Sequence, residues 1–288
     1  MTVAIVTDSA AALPVALAAQ WGITVVPMWL TIDGHAELEG TRPLAALAEQ
    51  PGVLTSAPAP GEFEAAVKDA LRTADSVVVL TLAEAMSASN EAARVGTASF
   101  DDVAVVDTGS AAGGQALVVL AAAEAASRPG ATLADVVRRA TWVAERVRLV
   151  ATLSSLDQLV RSGRVPGIAG WAGKRLGIHP LFEFRGGDVR RLRPALSGDA
   201  AAERIVAHVQ RDAPPSGRLH VVALHALAPD SATDLLARLR SQVGAEESFV
   251  GEFGPVMVVH TGPGLSGLAW WWDEGARSLA PPAASEPS

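Results

Sequence analysis

Three times in the first 111 residues a short apolar run ends in threonine, aspartate or serine and gives way to a helix-forming stretch. Residues 3–9 read VAIVTDS, residues 76–82 SVVVLTL and residues 102–111 DVAVVDTGSA. Runs this apolar, with no polar alternation, suit strands buried on both faces, and strands alternating with helices build a parallel sheet. Ligands meet such a sheet at the carboxyl ends of its strands. Thr7, Asp8, Ser9, Thr81, Asp107, Thr108 and Ser110 all fall there. Each is also a residue type that caps a helix, so position alone leaves both roles open.

Elsewhere in this half, residues 22–33 (GITVVPMWLTID) are strand-rich, and residues 55–71 read as a proline-punctuated loop feeding a helix that begins near Gly61. Residues 132–148 have the pattern of an amphipathic helix that links to a second unit. From there the pattern changes. A strand is expected over 149–155, helical pieces over 155–163 and 168–177, and a hairpin over 178–194 around Gly186 and Gly187. A helix (200–212), a strand (218–225) and another helix (230–243) follow, and SFVGEF, PVMVVH and LAWWWDE close the chain as β-runs. At 288 residues the chain suits one large domain or two smaller ones. The last residues, PPAASEPS, are expected to be disordered.

Composition narrows the function. A net charge of −8 disfavours nucleic acid, whose phosphates require a basic face. The absence of cysteine excludes disulfides, thiol catalysis and thiolate metal sites. The start, MTVAIVTDS, lacks the basic n-region of a signal peptide, and the apolar stretch 116–126 is too short to span a bilayer and contains Glu124. A cytoplasmic protein, not integral to a membrane, is expected.

Residues 262–267, GPGLSG, match the dinucleotide fingerprint, but that site needs glycines that open a helix and an acid about 20 residues later. Here β-like LAWWWDE follows, and Pro263 removes an N–H that would face a pyrophosphate. There is no Walker lysine loop, no HExxH and no GxSxG elbow. His220 and His225 lie five apart, on opposite faces of a strand, and the other histidines are scattered, so no metal site and no cofactor is expected. What remains is a set of loop hydroxyls, Ser9, Thr55, Ser56, Ser87, Ser89, Thr108, Ser110 and Thr261, with His260. Such groups hold a carboxylate or a phosphate without a full cation.

The order and spacing of several blocks resemble the DegV family. They are VTDSAAALP (6–14), GITVVPMWLTIDG (22–34), TSAPAPGEF (55–63), VVDTGSAAGGQAL (105–117), LDQLVRSGRV (156–165), LGIHPLFEFRGGDVRRL (176–192) and GPVMVVHTGPGLSGLAW (254–270). The resemblance implies a two-lobed α/β fold. A parallel-sheet α/β/α lobe would span residues 1–150 and a mixed-sheet α/β lobe residues 151–280, with 281–288 as the disordered tail. It further implies a bacterial lipid carrier rather than an enzyme: a protein that holds a long-chain fatty acid in an apolar tunnel. Its carboxylate would be presented to the separate catalytic subunit of fatty acid kinase, for acyl-phosphate formation and phospholipid synthesis. The family's carboxylate contacts fall on Thr55, Ser56, Ser87 and His260, and its docking arginine on Arg164. The serine loop reads MSASN (86–90) here, without the family's glycine and aromatic, and Pro166 follows Arg164 closely. Two other readings stay open: a stand-alone hydrolase or transferase built on Asp8 and Asp107, and a substrate subunit of another phosphotransfer system, in which His260 would capture a ketone.

Overall fold

The computed structural model describes residues 1–153, 157–163, 178–245 and 247–274. Strands β1 (Val3–Asp8) and β2 (Thr24–Val26), joined through helix α1 (Val15–Gln20), form a parallel sheet with β6 (Ser76–Thr81) and β7 (Val103–Asp107), in the order β2-β1-β6-β7. Every residue of β6 is buried, and its side chains alternate between two cores. Val77 and Val79 pack under helices α3 (Pro60–Ala70) and α4 (Ser89–Thr97), whereas Val78 and Leu80 face the molecular centre. This is why the run carries no polar alternation.

The centre holds helix α5 (Ala112–Ala126), with α6 (Leu133–Ala144) beside it. Beyond them lies a six-stranded mixed sheet in the order β10-β9-β8-β13-β11-β12. Its strands are β8 (Arg148–Thr152), the hairpin β9 (His179–Arg185) and β10 (Asp188–Ala195), β11 (Arg218–His225), β12 (Glu247–Glu252) and β13 (Ser266–Asp273). Only β11 and β12 pair in parallel. Helices α8 (Gly198–Arg211) and α9 (Pro229–Val243) cover the far face. The tryptophans of β13 divide accordingly: Trp270 packs under α8 and α9, and Trp271 turns to the central layer. There Trp271 stacks on His220 at 4.2 Å and meets the edge of Trp142, while Arg139 lies over both tryptophans and pairs with Asp273 at 2.6 Å.

Helix α5 is buried on all sides because it is thin. A Cβ on Gly113 would come within 3.0 Å of Val222 and Leu224 on β11. The small-residue sequence AGGQALVVLAAAEAA is what lets two sheets close on one helix.

Four expectations need correction. Residues 255–260 are not a strand but most of helix α10 (Pro255–Thr261). Pro255 at its start presets a helical φ, and a run of five apolar residues, three of them valine, cannot be told from a strand by pattern alone. The helix expected to reach residue 148 ends at Ala144, and Arg148 opens β8. The segment read as a loop from residue 55 begins as strand β5 (Leu54–Ser56), in a three-stranded antiparallel sheet with β3 (Trp29–Ile32) and β4 (His35–Leu38). Helix α2 (Leu44–Glu49), between β4 and β5, was not anticipated. Segment 168–177 and the tail 281–288 lie outside the described residues.

Candidate functional site

Strand β5 pairs with β3 through Thr55 and Leu30, which holds Thr55 at the sheet edge nearest α10. His260 sits in the last turn of α10. The helix ends at Gly262, whose φ of 75° turns the chain through Pro263 and Gly264 into β13. Glycine is also needed there for space, since a Cβ on Gly262 would run into the side chain of Gln158 on helix α7 (Asp157–Ser162). Of the glycines of GPGLSG, Gly262 closes a helix, Gly264 lies in the turn and Gly267 in a strand, and no helix N-terminus is available there for a pyrophosphate.

This geometry brings His260 Nε2 to 2.7 Å from Thr55 Oγ1, across 205 residues of sequence. Around the pair lies a cavity of about 50 Å³ that Ser56 and Ser87 also line, so Thr55, Ser56, Ser87 and His260 share one wall system. Ser87 is held in place: its Oγ accepts the Ser89 N–H at 3.2 Å and lies 3.0 Å from Ser89 Oγ. The remaining wall is apolar, with Met28, Leu82, Met86, Leu159, Val256 and Met257. A second cavity, about 40 Å³, begins behind Met86, Leu159, Met257 and Thr261, which line both. It runs between the start of α5 and the mixed sheet, and Phe182, Phe184, Phe253, Leu149, Val189 and Leu265 enclose it. Polar mouth and apolar interior are thus separated by little more than two methionine side chains and a leucine.

Three of the other hydroxyls singled out by position serve local structure. Thr108 Oγ1 donates to the Thr81 carbonyl, Thr261 Oγ1 to the Met257 carbonyl, and Ser9 Oγ accepts the Met28 N–H. Asp8 is fully buried and accepts from Ala10 N, Leu82 N and Gln115 Nε2; burial pushes its carboxyl up to about 6. Asp107 accepts the Gly109 N–H at 2.9 Å. These bonds tie both aspartates to loop backbone. His225 faces away from His220 as the strand period requires; its Nδ1 accepts the Ala228 N–H, and burial lowers its pKa. Arg164 lies outside the described residues. Among the described residues no group of three or more histidines and carboxylates is placed to hold a metal ion, and no helix is long and apolar enough to cross a membrane.

Sequence reasoning missed Glu39. Its carboxylate accepts the Met28 N–H at 3.2 Å and also the Val256 N–H, bracketing two lining residues of the first cavity, and burial raises its pKa to about 7. Nothing in HAELEG marks it, because both partners are backbone amides of other segments.

Comparison with known proteins matches this arrangement to one family. The model of the DegV family, described as uncharacterised proteins, matches residues 2–272. A DegV domain-containing protein of Streptomyces coelicolor is 37% identical over 277 residues, covering 92% of this chain and 97% of its own. A protein of Thermotoga maritima named a fatty acid-binding protein is 26% identical, over 93% of this chain and 97% of its own. Among solved structures, a DegV family protein of Thermus thermophilus described by its fatty acid binding superposes with a TM-score of 0.87 at 27% identity, over 94% of this chain and all of its own. With a family match across both sheets and the cavity between them, this chain belongs to the DegV family.

Proposed function

We propose that this protein binds a long-chain fatty acid and presents its carboxylate to a separate ATP-dependent kinase subunit. The observation that carries the reading is the Thr55–His260 pair at the mouth of a cavity that continues, past two methionines, into a wholly apolar one. The names of the Thermotoga and Thermus relatives support the ligand class.

Each methylene removed from water contributes about 0.8 kcal/mol, so a sixteen-carbon tail supplies on the order of 10 kcal/mol before ordering costs. Affinity thus comes from the tail, and the head group needs only to be held in register. The cavities as their side chains stand are too small for such a tail, since one water already occupies about 30 Å³ of liquid. Met86 and Met257 are the side chains to move: three rotatable bonds each let them swing aside and repack along the ligand.

At the head, His260 Nε2–H donates to Thr55 Oγ1, which leaves the threonine O–H to donate to the carboxylate, alongside Ser56 and Ser87. A bidentate arginine would occupy both carboxylate oxygens. Hydroxyls leave one free to attack the γ-phosphorus of ATP on the kinase, breaking the bond to the β-phosphate oxygen and releasing ADP. Arg164 is assigned to docking in this reading, and the chemistry is the partner's, in the cytoplasm, on the way to phospholipid.

Native mass spectrometry of protein purified from a heterologous host tests the ligand. A co-purified mass in the fatty-acid range is expected; a ligand-free chain that turns over a soluble substrate unaided overturns the reading. Saturable ATP binding by the chain alone overturns the division of labour. Arg164→Ala keeps the lipid and loses coupling to the kinase.

A further inference from the structure

We propose that Glu39 is a positioning residue for the site: it sets the spacing of Thr55 and His260 by tying the sheet that carries one to the helix that carries the other. Glu39 follows β4 and closes the hairpin at Met28 twice over. Its own N–H donates to the Met28 carbonyl at 3.1 Å, and its Oε1 accepts the Met28 N–H at 3.2 Å. The same carboxylate accepts the Val256 N–H in the first turn of α10, and it packs so close to Gly254 that a Cβ there would lie 3.3 Å from Oε2. From Met28 the chain runs directly into β3, whose Leu30 pairs with Thr55. From Val256, one helical turn leads to His260. One carboxylate therefore anchors both paths that end in the 2.7 Å contact.

The surroundings make this anchor responsive to pH. Glu39 lines a cleft of about 470 Å³ with Asp8 from the end of β1 and Glu252 from the end of β12, and no cationic residue lines it. Ser9 Oγ, 3.0 Å away from Met28 N, shares that amide. Burial, with the Asp8 charge adding to it, raises the Glu39 carboxyl to about 7. Because burial makes the neutral carboxyl the favoured form in the closed site, the clamp is held most firmly below neutral pH and loosens as Glu39 ionises. His260, the titratable group at the other end of α10, is the reporter.

The test uses the full chain and the isosteric Glu39→Gln. Hydrogen exchange of the Met28 and Val256 amides, corrected for intrinsic rates, is expected to quicken about tenfold in the wild type between pH 6 and pH 8, because opening lets the buried carboxyl ionise in water. The His260 ring ¹⁵N shifts should move in step. In Glu39→Gln, which cannot ionise, the corrected exchange of both amides should be the same at pH 6 and pH 8, and that step in the His260 shifts should vanish. Should the variant not fold, the wild-type exchange series decides alone: amides protected equally at pH 6 and pH 8 overturn the proposal. So does a folded Glu39→Gln that keeps the wild-type pH dependence. A ligand arm, which rests on the fatty-acid reading, measures oleate affinity at pH 6 and pH 8 and expects a fall in the wild type that the variant does not show. If the wild type binds no oleate at any pH, that reading fails while amide exchange still decides the role of Glu39.

Discussion

Helices α5 and α10 both contribute to the apolar core, and they are built on opposite terms. α5 runs 15 residues, is buried on nearly every side and is mostly alanine, valine and glycine so that two sheets can close on it. α10 has seven residues, lines the cavity beside the core with Val256, Met257 and His260, and is held at its first turn by one glutamate. The first helix has no room to move and the second is surrounded by adjustable side chains. In the proposed reading, the ligand is accepted where cavities adjoin the core and position depends on a few long-range hydrogen bonds.

The largest expected effect breaks the α5 side. Gly113→Val drives two methyl groups into Val222 and Leu224, already 3.0 Å from where a Cβ would stand, and should cost about 3 kcal/mol in urea denaturation. A tolerated valine would mean that the central layer is as adaptable as α10.

A pH series separates the two anchors next. Asp8, bonded to Gln115 of α5, sits at about 6 and Glu39, bonded to α10, at about 7, both above the range near 4 of an unfolded chain. The folded protein therefore binds more protons between about pH 4 and 7, and stability falls as pH rises through that window. Asp8, wholly buried, accounts for roughly 3 kcal/mol of the fall. Denaturation midpoints should drop from pH 5 to pH 8, and Glu39→Gln should flatten the whole curve, most completely between about pH 6 and 7, where Asp8 no longer contributes. A midpoint that rises over this range would contradict both assignments.

On the α10 side, His260→Ala should weaken fatty-acid binding by about 2 kcal/mol, read by calorimetry, with phosphorylation falling further because a misplaced carboxylate oxygen is a poor nucleophile. The melting temperature should hold, since His260 carries little of the core. A lowered melting temperature with unchanged phosphorylation per folded molecule would instead make His260 a core residue.

The smallest effect sharpens the contrast. Met257→Ile should change stability by less than about 1.5 kcal/mol, yet its branched, stiffer side chain should narrow the range of acyl chains bound, as measured by mass spectrometry of co-purified lipid. An unaltered lipid profile would remove Met257 from the partition between the cavities.

Legibility follows the same division. Strand β11 runs over 218–225 as read, and the hairpin turns at Gly186 and Gly187, because runs buried on both faces and paired glycines carry their structure locally. α10 reads as a strand because five apolar residues suit either period, and the acid that anchors its start lies in a distant hairpin. β5 was missed because three residues beside a proline-rich stretch form a strand only when β3 is there to pair with them. Thr55, Ser56, Ser87 and His260 were identified through family resemblance, since no period or spacing links residues this far apart.

By itself, the sequence determined that this chain builds a parallel sheet followed by a mixed one, that its central helix is thin, and to which family it belongs. Those properties are written in composition and short-range order: apolar runs, turn residues, and small side chains where a helix must be squeezed. Only the tertiary structure decided that PVMVVH is helical, that Thr55 meets His260, and that Glu39 anchors both. Each of these depends on a hydrogen bond or an apolar contact between segments that meet only once the sheets have closed, and before that moment the local energies of strand, helix and loop at those residues are too similar to choose among them.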